Sequence, residues 1–227
     1  MRYATKYSPL LATLSLAAAC GGDTTGPTSS ATPSAHITAA ATCYPRTYSG
    51  NAFVLKSNVL GVVTNAVNTG PLPACGGLIQ RSLAVVDRRP LFYGTVGTAE
   101  TRGSIDAATS KSSVLTATIL VSGQVITADV IGSTSKATSY AFCLGRPPKV
   151  SGSTNLANVV VNGTAVTITG APNQKVPLGL VGSVTFNEQI KVNTAKYGAI
   201  TVNAVHVRVT GVADVIVASS HSDIACT

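Results

Sequence analysis

Along VLTATILVSGQVITADVI, residues 114–131, apolar and polar side chains alternate singly on both sides of Ser122-Gly123. A period of two marks a strand with one face on a core and the other in water. Ser-Gly between two such runs supplies a two-residue hairpin turn. Folded that way, Leu115, Ala117, Ile119, Val121, Ile126, Ala128 and Val130 share the core side, while Thr116, Thr118, Thr127 and Asp129 face out. LANVVVNGTAVTI, residues 156–168, repeats the arrangement around Asn162-Gly163, the preferred pair for a type I′ turn. That turn sets Val161 opposite Thr164 and Val159 opposite Val166, with Ala157, Val159, Val161, Val166 and Ile168 on one face. Further apolar runs at 52–56, 59–67, 82–86, 180–186, 199–209 and 212–218 bring the expectation to about ten strands.

One run breaks its own rhythm. Ile200, Val202 and Ala204 share one parity and Val205, Val207 and Val209 the other. A bulge near Ala204 returns both sets to the core; a strand buried on both sides is the second reading. Many short strands separated by Gly, Pro and Asn predict an all-β fold, an antiparallel β-sandwich. A β-barrel-like or β-helical arrangement is the alternative, although the chain lacks the fixed repeat period that a β-helix needs.

The first 42 residues read differently. Arg2 and Lys6 precede a short apolar run, Leu10–Ala19, too short to span a bilayer. This is the pattern of a secretory signal peptide over residues 1–19. It ends Leu16-Ala17-Ala18-Ala19-Cys20, which resembles the bacterial lipobox, in which cleavage precedes a cysteine that carries diacylglycerol. Between Gly21 and Thr42 the only large apolar side chain is Ile37. Such a composition cannot offset the entropy of ordering, so residues 20–42 read as a lipidated cysteine on a flexible tether. A tether of this length has a root-mean-square reach of roughly 25 Å. Residues 43–227 then form a single β domain.

With Cys20 assigned to lipid, Cys43, Cys75, Cys143 and Cys226 remain, an even number in an exported chain. They read as two disulfides, with three possible connectivities, of which Cys43–Cys75 and Cys143–Cys226 is favoured. No C-x-x-C pair or calcium-loop pattern occurs, so no metal or cofactor is expected. The net charge is +8 and charged residues are 11% of the chain. The basic residues look scattered, with Arg88-Arg89 the one adjacent pair and few aromatics, so no nucleic acid partner is expected.

The order Y-S-G-x-A-F (48–53), VNG (161–163), VTFNEQ (184–189), ITVNAVHV (200–207) and a last strand ending at Cys226 is similar to the choice-of-anchor P family of bacterial surface proteins. The resemblance covers about residues 46–226. It implies surface exposure and an anchor that varies between members; with only Thr227 after Cys226, Cys20 is the expected attachment. It implies no established activity and no catalytic residues.

Candidate chemistry is sparse. His206, Arg208 and Asp214 fall in adjoining strands, and Asn187-Glu188-Gln189 makes a polar cluster. His206 alternates with valines as a solvent-side residue does, and Glu188 reads as a turn or strand-end carboxylate. No G-x-S-x-G elbow appears, and no catalytic residue is assigned. The expected function is a non-catalytic binding or structural module, lipid-anchored at the outer membrane or cell surface. Its partners are the membrane, and a surface polysaccharide or another envelope protein. Arg88, Arg89 and Tyr93, beside Pro90, are the expected binding loop. A secreted hydrolase acting on envelope or extracellular polysaccharide is the alternative function.

Overall fold

The computed structural model describes residues 46–104, 106–140 and 146–226. All belong to one compact unit, Pro33–Thr227, which carries both sheets and the whole described core and so qualifies as a folding unit by itself. The signal peptide, Cys20, the tether, Cys43 and Cys143 lie outside the described residues.

Twelve strands and no helix make up the described residues: β1 Arg46–Val59, β2 Val62–Asn68, β3 Gly77–Arg88, β4 Phe92–Ser104, β5 Ala107–Val121, β6 Gln124–Thr138, β7 Lys149–Val161, β8 Thr164–Ala165, β9 Gln174–Pro177, β10 Gly182–Asn193, β11 Tyr197–Val209 and β12 Ala213–Cys226. They form two six-stranded antiparallel sheets, ordered β2-β1-β12-β11-β10-β9 (the first sheet) and β3-β4-β5-β6-β7-β8 (the second). Neither closes on itself, so the fold is a β-sandwich; the barrel-like and β-helical alternatives are not formed.

Three hairpins turn on two residues that both have positive φ: Leu60-Gly61, Ser122-Gly123 and Asn162-Gly163. At the last, φ is 50° and 80°, and Val161 opposes Thr164 as the sequence predicts. The run 59–67 is thus two strands joined by a turn. All three turns lie at one end of the sandwich, with the loops 89–91, 178–181 and 210–212; this is the turn end. Arg46, Cys75 and Cys226 lie at the other, the terminal end, where Arg46 pairs with Cys226 across β1 and β12. Cys75 and Cys226 are both disulfide-bonded; the expected pairing with Cys43 and Cys143 falls outside the described residues.

A row of register steps crosses both sheets. In the first, Asn203 opposes Ser219 and Val205 opposes Val217, so that Ala204 and Ala218 are stepped over together. Val54, Val67 and Asn187 continue the row. In the second sheet Ala84, Val96, Leu115 and Val130 are stepped over. Val67, Val96, Val130, Asn187 and Ala218 adopt φ near +50°, a region that L-residues occupy at a cost of about 1–2 kcal/mol. The step at Ala204 puts both valine sets of β11 into the core, while Asn203 and His206 on the opposite face are buried as well. Both readings of this strand hold.

The same row overturns part of the 114–131 pattern. Leu115 is 50% and Val130 42% exposed, whereas Val114 and Ile131 are buried. The step shifts parity by one, so the alternation that holds from Ala117 to Ala128 inverts beyond it. In the second sheet the row points outward, and in the first it points inward. Val54 and Val67 fill the hollow this leaves over Gly97, where a Cβ would stand 2.9 Å from Val86 and 3.2 Å from Val54.

The row also divides the interior. Toward the turn end the core is large and apolar, with Phe92, Phe186, Leu55, Ile119 and Ile126 fully buried. Toward the terminal end the inner positions of β5 and β6 are small and mostly hydroxylic, facing a first sheet that still buries Tyr48, Ile200 and Ile224. Ser110 donates to the carbonyl of His221 (2.6 Å) and Ser112 to that of Phe53 (2.8 Å); Ser135 meets Ser222 at 2.9 Å. Hydroxyls of one sheet reach the backbone of the other only where the sheets lie closer than the usual ~10 Å.

Replacing Ser110 by Val removes an inter-sheet hydrogen bond and adds volume to a layer where a Cβ on Gly50 would already stand 2.9 Å from the Ser110 hydroxyl. Urea denaturation should show a loss of about 2–3 kcal/mol. The outward-facing Ser113→Val should stay within about 0.5 kcal/mol of wild type. Equal stability of the two variants would contradict the close approach of the sheets.

Candidate functional site

Two places concentrate chemistry. The first is the outer face of β10, β11 and β12. His206 sits in the middle of β11, opposite Thr185 and Ile216, and its parity does put it on the outer face. It is nevertheless only 4% exposed, which corrects the expectation of a solvent-side residue. Its Nδ1 lies 2.6 Å from Oε2 of Glu188 and its Nε2 2.9 Å from Oδ1 of Asp214. Glu188 lies within β10, not at a turn or strand end, and its side chain is 12% exposed. Asn203 donates to the same Glu188 oxygen (2.6 Å), and Ser219 donates to Asn203 (2.6 Å). The chain Ser219–Asn203–Glu188–His206–Asp214 thus ties three strands together through their side chains.

Carboxylates only accept hydrogen bonds, so the Glu188 contact is made by an Nδ1–H. At Nε2 two partners compete: Asp214 requires a proton there, and Nε of Arg208, 3.1 Å away, requires the lone pair. The hydrogen bond from His206 is the main reason the Glu188 carboxyl lies below its ordinary range; burial opposes it, and Asn203 and Arg208 assist.

This arrangement holds strands together. A histidine that activates a nucleophile needs a ring nitrogen facing a hydroxyl, and neither nitrogen of His206 does; Ser219 is directed at Asn203. Hydroxyl, imidazole and carboxylate do line up farther along the same face. There Thr201 Oγ1 lies 2.8 Å from His221 Nδ1, and His221 Nε2 lies 3.0 Å from Asp223 Oδ2. Tyr197 beside them is held above its ordinary range, first by burial and then by Asp223. Thr201 lies in a central strand paired on both sides. Its backbone donors serve the ladder and are not free to hold an oxyanion. Among the described residues no group of three or more His, Cys, Asp and Glu is placed to hold a metal ion.

The second place is the turn end of the second sheet. Arg89, Pro90, Tyr93, Thr118 and Leu120 line an open groove of about 680 Å³. The sequence singles out Arg88, Arg89 and Tyr93; the structure puts Arg89 and Tyr93 in the groove and Arg88 beside it, hydrogen-bonded to the carbonyl of Asp87. Arg89 grips Asp87 through Nε and Nη2 (3.0 and 2.6 Å) and lies 5.4 Å from the centre of the Tyr93 ring. The Arg89 hydrogen bonds hold the Asp87 carboxyl below its ordinary range. Tyr93 remains 37% exposed. Thr118 and Leu120 come from β5, which the pairing of Tyr93 with Thr118 brings alongside. Nothing local to residues 88–93 announces them. No protein-family model, curated protein or solved structure matches this chain.

A carboxyl held below its ordinary pKa in the fold stabilises the fold above that ordinary value and loses the contribution as the pH falls through the lowered one. For Glu188 the ordinary value is 4.5. Glu188→Gln should therefore lower stability at neutral pH by about 2 kcal/mol, the worth of hydrogen bonds to a charged group. The gap from wild type should narrow as the pH falls below 4.5. Thermal unfolding across that range checks this; a gap that is constant with pH would remove the carboxylate from the network.

Proposed function

We propose that the chain is an exported lipoprotein of the choice-of-anchor P type, held to the outer membrane or cell surface through an acylated Cys20. Its β-sandwich acts as a non-catalytic binding module. The observation that carries this reading is the position of the Arg89–Tyr93 groove. It opens at the turn end, while Arg46, where the chain enters the described domain, lies at the terminal end. A domain on an N-terminal leash presents a groove so placed away from its anchor.

The groove suits a surface polysaccharide. The Tyr93 ring and Leu120 offer an apolar floor to the C–H face of a sugar, and the Thr118 hydroxyl and Arg89 guanidinium offer polar partners at its margin. Beyond it the outer face continues in hydroxyl pairs, Thr95 with Thr116 and Thr98 with Ser113, each at 2.7 Å.

Cys20→Ser should abolish incorporation of labelled fatty acid and release the protein from the membrane fraction. Retention at the wild-type level would refute the anchor. On a glycan array the Pro33–Thr227 unit should select a carbohydrate class, and Tyr93→Ala should weaken that binding about tenfold, as loss of an aromatic anchor does. Undiminished binding by Tyr93→Ala would move the site elsewhere. Turnover of glycosidase, esterase or protease substrates that His221→Ala abolished would replace the binding reading with the hydrolase.

A further inference from the structure

The basic residues that look scattered along the chain are gathered by the strand register. On the outer face of the second sheet, between the row of steps and the terminal end, Arg102 opposes Thr109, which opposes Lys136. The two cations therefore lie in one row, two strand spacings or about 9.6 Å apart. Lys111 lies in the next row, opposite Glu100 and Thr134. Lys149 faces Thr138 from β7, and Arg146 precedes it. All five are exposed. The described carboxylates here are both engaged: Gln80 holds Glu100 at 2.7 Å, and Arg46 holds Asp106 at 2.7 Å. Arg102, Lys111 and Lys136 make no hydrogen bond or ion pair among the described residues.

Two further features lie at this place. The exposed Tyr140 is flanked by Lys149, 5.1 Å from its ring centre, and by Arg146 at 5.4 Å. An amphipathic ring between cations is the grouping found at the headgroup level of membranes. The entry of the chain into the domain is fixed here too: Arg46 donates to Asp106 (2.7 Å) and Ser139 (2.8 Å). Ser139 adjoins Thr138, the partner of Lys149.

We infer that this face, built on Arg102, Lys111, Lys136, Arg146, Lys149 and Tyr140, docks the domain on the anionic headgroups of the membrane that holds its lipid. Charge complementarity and the adjacent entry of the tether select that occupant. The inference takes its setting from the lipid anchor proposed above, but it is tested without the lipid, so the two fail separately. A short tether confines the domain near the surface, and the cations then fix which side of it faces the lipid.

The test uses the unacylated Pro33–Thr227 unit and vesicles of phosphatidylglycerol mixed with phosphatidylcholine, compared with phosphatidylcholine alone. Binding should require the anionic lipid and weaken as salt rises. Replacing Arg102, Lys111 and Lys136 together by Gln should lower partitioning about a hundredfold, at about fivefold per charge near an anionic surface. All three are exposed and unpaired, so the melting temperature should hold. Lys56, Arg88 and Lys175, replaced together by Gln, remove the same charge from the turn half and should cost less than about fivefold, being beyond a Debye length of the lipid. Tyr140→Ala should weaken vesicle binding and leave binding to dextran sulfate unchanged. Absence of anionic-lipid binding, or equal losses from the two triple variants, would overturn the inference. So would equal binding to vesicles and dextran sulfate with no effect of Tyr140→Ala, which would give the face to a soluble polyanion.

Discussion

The close approach of the two sheets in the terminal half is the constraint on which the rest of the sandwich depends. Sheets that interdigitate large side chains stand about 10 Å apart. Here Ser110 and Ser112 reach across to backbone carbonyls of β12 and β1, and Ser135 meets Ser222 hydroxyl to hydroxyl. The inner positions of β5 and β6 there are small, Ala108, Ser110, Ser112, Ser133 and Ser135, while Tyr48, Ile200 and Ile224 of the first sheet stay large and buried. Gly50 marks the limit, with no room for a Cβ. Directional hydrogen bonds replace much of the apolar burial in this half. The burial that stabilises the domain, at about 25 cal/mol per Å², is therefore concentrated toward the turn end, around Phe92, Phe186, Leu55, Ile119 and Ile126. A tight half and a wide half must meet somewhere, and they meet at the row of register steps.

The steps are costly in isolation, since Val67, Val96 and Val130 are β-branched residues at φ near +50°. They persist because the row is continuous: a step in one strand is matched in its neighbour, so ladder pairing resumes on both sides. The displacements of the two sheets are also complementary. What the second sheet loses by turning Val96, Leu115 and Val130 outward, the first recovers by turning Val54 and Val67 inward over Gly97. Asn187 is the polar member of the row; its side-chain amide donates to the carbonyl of Gly170 (2.8 Å) and thereby ties β10 to the loop before β9.

The interior chemistry decides which parts of the fold were legible in the sequence. Both hairpin turns, at Ser122-Gly123 and Asn162-Gly163, and the pairing next to them were readable, because Val, Ile and Leu mark the inner positions there. Ala157, which the alternation sets with Val159, instead pairs with the outward-facing Asp129, and Leu156 packs on the core. AATSKSS and GSTSKAT, the terminal halves of β5 and β6, were not, because there the inner positions are Ser110, Ser112, Ser133 and Ser135. An alternation of serine with threonine and lysine carries no hydropathy signal. The glycine-rich β4 was missed for the same reason: after Phe92 its inner positions are Gly94, Gly97, Ala99, Thr101 and Gly103, which carry almost no hydropathy signal. The parity slip of β11 was legible, since Ala204 separates two valine sets. That of β5 was not, because Val114-Leu115 offers two equivalent apolar choices. In the site the residue types were visible and the environment was not. Valines on either side of His206 give its face correctly, but only the partners Glu188 and Asp214, on neighbouring strands, bury it.

The strands that carry the groove also carry the cationic face. Tyr93 and Arg102 both lie on β4, and Thr118 and Lys111 both lie on β5. Nine residues of strand separate Tyr93 from Arg102, about 30 Å at the usual rise, without a hinge between them. A leash alone would leave the groove anywhere within its reach, roughly 25 Å root-mean-square and facing in any direction. Contact between Arg102, Lys136 and an anionic surface would convert that freedom into a fixed orientation, since β4 and β5 then act as rigid spacers. Binding a polymer at Tyr93 would no longer incur the orientational entropy of a tumbling domain. On the proposed reading, the uneven distribution of cations along the sandwich and the location of the groove at its far end are thus two parts of one arrangement, which the register of β4 and β5 holds together.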